Sequence, residues 1–88
     1  MNLEPVLRER LATLSPVSLT VVDDSAAHAG HAGAAPGGNT HWSIAIVSPA
    51  FAGKLTVARH RMVYAALGEL MNNPIHALQI RALAPGET

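Results

Sequence analysis

At 88 residues the chain has the length of one domain, and a chain this short buries roughly 60–65% of its unfolded surface, enough for a modest core. Hydrophobic residues make up 49% of it, which excludes a disordered tail, and a net charge of +0 excludes bulk attraction to nucleic acid. Cysteine is absent, which excludes disulfides and an all-thiolate metal site of the chain's own. No apolar run approaches the ~20 residues of a membrane span, and no basic-then-apolar leader opens the chain. The expectation is a soluble, cytoplasmic protein occupying 1–88 as a single domain.

The first predicted element is an amphipathic helix over Met1–Leu14. Leu3, Leu7, Leu11 and Leu14 recur at helical spacing, Asn2 stands at the N-cap position, and Pro5 is tolerable in the first turn. Ser15-Pro16 stops it. Val17–Asp24 alternates, with Val17, Leu19 and Val21 on one face, and predicts a half-buried strand. Residues 25–39, rich in Ala, Gly and His, predict a flexible loop. Thr40–Ser48 is a second strand with Trp42, Ile44 and Ile46 on one face, broken by Pro49–Gly53. Thr56–Asn72 is the main helix, its apolar stripe formed by His60, Val63, Tyr64, Leu67, Leu70 and Met71. Asn72-Asn73-Pro74 ends it. Ile75–Leu83 is the third strand, with Leu78, Ile80 and Ala82 on the face shared by His76, and 84–88 form a short tail.

This order predicts an α+β fold, αββαβ, or αββααβ if a short helical turn precedes the main helix. Its three-stranded sheet carries the helices on one face. A parallel crossover joins the second and third strands, and the first two form an antiparallel hairpin. The pattern leaves the strand order open.

Five histidines are unequal candidates for chemistry. His60, on the helix stripe, and His41, at the start of the second strand, read as structural. His76 opens the third strand on the parity of Leu78 and Ile80, at the rim of the core; by pattern alone it too reads as a satisfied structural histidine. His28 and His31 sit three apart in the loop and could reach one metal, a weak signal by itself. Lys54, Arg59 and Arg61 form a local basic cluster. No cysteine nucleophile, Gly-x-Ser-x-Gly elbow, P-loop or HExxH is present, and Asp23-Asp24 alternates faces rather than converging. The pattern therefore predicts a non-enzyme.

Three segments together resemble the BolA family. Asp23-Asp24-Ser25 precedes the histidine loop and Thr40-His41-Trp42. Phe51-Ala52-Gly53-Lys54 runs into Arg59-His60-Arg61-Met62-Val63-Tyr64. Ile75-His76-Ala77-Leu78 opens the last strand. The departures, Asp24 for Glu and Trp42 for Phe, are small. The resemblance implies a class II KH-like fold and a heterodimer with a monothiol glutaredoxin, the isolated chain being a monomer or weak homodimer. It further implies a [2Fe–2S] cluster shared with the glutaredoxin cysteine and glutathione. His76 matches the family's ligand histidine, and His28 or His31 supplies the loop ligand. The rival expectation is a DNA-binding transcriptional regulator using Lys54, Arg59 and Arg61. Against it stand the neutral charge and a single glycine where a KH clamp has Gly-x-x-Gly.

Overall fold

The computed structural model describes residues 3–24, 41–72, 75 and 77–87. Helix α1 spans Glu4–Leu11, shorter than the expected Met1–Leu14. Leu3 rather than Asn2 takes the N-cap position, with no side-chain cap, and Ala12–Leu14 tightens into a 3₁₀ turn. Ser15 then reverses the chain at φ 53°. Pro5 falls in the first turn, where no intrahelical partner exists for the missing N–H. Leu3, Leu7 and Leu11 are buried.

Strand β1 covers Ser18–Asp23 and β2 His41–Val47. They pair antiparallel, with Leu19 opposite Ile46 and Val21 opposite Ile44. Val17 is the exception to the predicted inward set. It lies before the strand, its N–H donates to Val47 O (2.8 Å), and its side chain is 66% exposed. After β2, Pro49–Phe51 forms a single 3₁₀ turn, so the optional helical turn ahead of the main helix exists in its shortest form.

Helix α2 runs from Thr56 to Leu67 and then narrows to a 3₁₀ turn over Gly68–Met71. The expected continuous helix to Asn72 is thus broken at Gly68, whose φ of 56° lies where side chains are disfavoured. Strand β3 is Ala77–Leu83, two residues later than predicted. Ile75 instead buries its side chain and donates to Leu70 O (3.2 Å). Strand β3 pairs parallel to β2, giving the order β1-β2-β3 that the sequence left open.

Trp42, Ile44 and Ile46 are buried on one face of β2, beside Val21 and the partly buried Leu19, Leu78, Ile80 and Ala82. Val63 and Leu67 of α2 and Leu7 and Leu11 of α1 close over the same face. The fold is the expected α+β arrangement with both helices on one side. Tyr64, assigned to the apolar stripe from its spacing, is 42% exposed.

Candidate functional site

The two ends of the sheet carry different chemistry. At one end β2 starts at His41, which registers with Ala77, the first residue of β3. Asp24 donates its backbone N–H to His41 O (2.7 Å), and its carboxylate accepts from Ser43 Oγ. Asp24, His41, Trp42, Ala77 and Gln79 line a cavity of about 140 Å³ there. Trp42 is 1% exposed, and its Nε1–H finds no acceptor among the described residues. An unpaired buried donor is costly, and that cost accompanies the ring that fills this end of the core.

The candidate ligands His28, His31 and His76 lie outside the described residues. The chain neighbours of His76 are described: Ile75 is 2% exposed in the core, and Ala77 is held in the sheet opposite His41. Among the described residues no group of three or more His, Asp or Glu side chains could hold a metal. The donor set of the whole chain is imidazole and carboxylate without thiolate. Such a set fits one side of a shared two-iron cluster, where histidine can replace cysteine on one iron. His41 and His60, expected to be structural, are both half-buried.

At the other end, α2 begins. Gly53 takes φ 74° in the turn between Phe51 and Lys54, and Lys54 N–H donates to Phe51 O (3.1 Å). Of the three clustered cations, Lys54 and Arg61 are exposed. Arg59 is not free. Its Nε donates to Lys54 O (2.8 Å), its Nη1 to Ala82 O (3.0 Å), and both Nη atoms clasp the Glu87 carboxylate at 2.5 and 2.9 Å. The short tail therefore works as an anchor: Ala84 is buried, and its N–H also donates to Glu87. Held by the Arg59 guanidinium first and by that backbone N–H second, the Glu87 carboxyl is lowered to about 2. Arg59 is correspondingly raised.

Sequence reasoning did not single out Leu55 and Val57, which flank the start of α2 and are 82% and 61% exposed. The available signal was a leucine at a helix N-cap, where Ser, Thr, Asp or Asn is preferred. Among the described residues no helix is long and apolar enough to cross a membrane.

With this geometry in place, comparison with known proteins is informative. The family described as BolA-like protein matches residues 11–87. The chain is 45% identical over 86 residues to SufE-like protein 1 of Arabidopsis thaliana, covering 92% of this chain and 23% of that protein. It is 36% identical over 80 residues to the DNA-binding transcriptional regulator BolA of Escherichia coli, covering 85% and 72%. Across the curated relatives of higher identity the chain spans 23% to 60% of their length. Among solved structures, BolA1 from Arabidopsis thaliana superposes with a TM-score of 0.84 at 37% identity, covering 100% of this chain and 98% of that one. Fold, segment order and sequence agree, and the chain belongs to the BolA-like protein family.

Proposed function

We propose that this chain is a cytoplasmic adaptor, not an enzyme, that pairs with a monothiol glutaredoxin and shares a [2Fe–2S] cluster with it. His76 and either His28 or His31 would offer imidazole nitrogen to one iron; the glutaredoxin cysteine and glutathione would offer thiolate. The observation that carries this reading is the donor set: five histidines and no cysteine, in a member of this family. Such a chain can complete a cluster only beside a thiolate-bearing partner. Mixed nitrogen and sulfur ligation would raise the cluster's reduction potential above that of an all-thiolate site. Each ligating imidazole must be neutral, so assembly is expected to weaken as the pH falls through the histidine range. The anchored neighbours Ile75 and Ala77 support His76 as the principal ligand, since the chain enters and leaves that residue from fixed points.

The test is anaerobic assembly of the cluster on the mixed pair, read by visible circular dichroism. His76→Ala should abolish the histidine-ligated spectrum while thermal melts stay close to those of the parent chain. His28→Ala and His31→Ala should each be milder, and the double variant worse than either. A His76 variant that forms the complex with an unchanged cluster spectrum sinks the reading.

The name of the Escherichia coli relative favours a second reading, regulation through DNA contact at Lys54, Arg59 and Arg61. Arg59 is committed to Glu87 and two carbonyls, which leaves Lys54 and Arg61 for phosphate. Two contacts would give a logarithmic salt slope of roughly −2. A slope twice that steep, or sequence-selective binding at high salt, would promote this reading above the adaptor.

A further inference from the structure

The start of α2 is built against its own local stability. Leu55 holds the N-cap position in an extended conformation without a capping bond, and its side chain is 82% exposed. The first turn has no acidic residue to meet the positive helix end. Lys54 stands just before it, and no Asp or Glu occurs between Pro49 and Leu67. Further along, Val57, Arg61 and Tyr64 follow at i, i+4 and i+7, and so share one face. That face lies away from the buried Val63 and Leu67. Val57 is 61% and Tyr64 42% exposed. Neither the leucine cap nor the exposed valine and tyrosine contributes to the core, and the two charged side chains of this surface, Lys54 and Arg61, are both cationic.

From this we infer a second interaction surface, formed by Lys54, Leu55, Val57, Arg61 and Tyr64, that docks an amphipathic helix of another protein carrying aliphatic side chains flanked by Glu or Asp. The aliphatic stripe would cover Leu55 and Val57, and its carboxylates would meet Lys54, Arg61 and the uncapped helix end. A second copy of this chain is a poor occupant because four of its six acids are engaged. Glu4, Glu69 and Glu87 are ion-paired with Arg8, Arg10 and Arg59, and Asp24 accepts from Ser43. DNA is disfavoured because three of the five surface side chains are apolar or aromatic and only two are cationic.

The surface also lies far from the cluster end. The Arg59 bond to Ala82 O places the first turn of α2 beside the end of β3, whereas the Ile75 bond to Leu70 O places the far end of the helix beside its start. The seven residues of β3 separate the two, a span of about 20 Å at the usual rise of a strand. One partner at each end could therefore be held at once.

Titrating the isotopically labelled chain, without metal or glutaredoxin, tests this independently of the cluster reading. The probe is a synthetic amphipathic helix with leucines flanked by glutamates; its rivals are the same peptide with lysine for each glutamate, a short duplex DNA of mixed sequence, and phosphatidylglycerol vesicles. The glutamate peptide should shift the amide signals of Leu55, Val57, Arg61 and Tyr64. V57S/Y64S should weaken it by roughly tenfold. K54E/R61E should favour the lysine peptide instead. Both double variants change exposed residues, so thermal melts should stay near the parent's. No peptide binding, charge-blind binding, shifts confined to another face, or tighter binding of DNA or vesicles would each overturn the inference.

Discussion

Ser48 shows how one small residue ties three elements together. Its side chain is fully buried, accepts from Ala50 N–H (3.1 Å) and donates to Leu14 O (2.5 Å), while its own N–H donates to Leu83 O (2.9 Å). The hydroxyl thus caps the turn after β2 and satisfies a carbonyl at the end of the first helical segment. Ser48→Ala keeps the volume nearly unchanged and leaves both backbone groups without their partner, a penalty of about 1–3 kcal/mol. Urea melts should show that loss with an unchanged slope; a change below about 0.5 kcal/mol, ordinary for surface positions, would mean water replaces the hydroxyl. Such a residue is invisible in the sequence, where Ser48 reads as the last position of a strand. Arg59 failed to stand out for the same reason. Proximity to Lys54 and Arg61 groups it with a basic cluster, but its partner Glu87 lies 28 residues on, and no periodicity encodes that pairing. The aliphatic half of the α2 surface was legible only as a departure from capping preference at Leu55.

Elements whose pattern matches a single burial environment were the most legible. Strand β2 alternates fully, with Trp42, Ile44 and Ile46 inward, because one face meets the helices and the other is only half-buried. The ends of the helices were not, since Gly68 and Ala12 interrupt segments whose apolar spacing continues past them. Spacing also misled at Tyr64. It sits one position from Val63, and a stripe drawn through both is wider than the contact the sheet offers. The helix therefore makes a direct contrast. Leu67→Ala removes a side chain with 0% exposure and should cost about 2–5 kcal/mol. Tyr64→Ala, at 42% exposure, should stay within about 1 kcal/mol, between the surface and core ranges. Equal losses in denaturant melts would show that α2 is rotated about its axis relative to this packing.

At the scale of the whole molecule, two arginine–carboxylate clasps fasten α1 and the residues after β3 to the two ends of α2. Arg10 of α1 donates to Glu69 Oε1 (2.8 Å) and to Leu67 O (3.2 Å), which joins the first helix to the turn closing the second. Arg59 and Glu87 join the second helix to the residues after β3. The Arg10 hydrogen bond holds the Glu69 carboxyl down at about 2, and the Arg59 hydrogen bond does the same for Glu87. The sign follows from linkage. Both carboxyls bind a proton more readily unfolded, near 4.5, than folded, so acidification favours the unfolded chain over that interval. Their contribution is complete above about pH 4.5 and is lost as the pH falls toward 2. Both pairs are solvent-accessible, and salt should shrink the effect. Glu87→Gln should lower the melting temperature at pH 7 and flatten its decline between about pH 5 and 2. Glu69→Gln should do the same, and because the two pairs lie at opposite ends of α2 the double variant should be close to additive. The deciding measurement is the melting temperature of all four chains across that range. If the double variant retains the parent's acid slope, the clasps are not what fastens α1 and the residues after β3, and the titrating groups lie elsewhere.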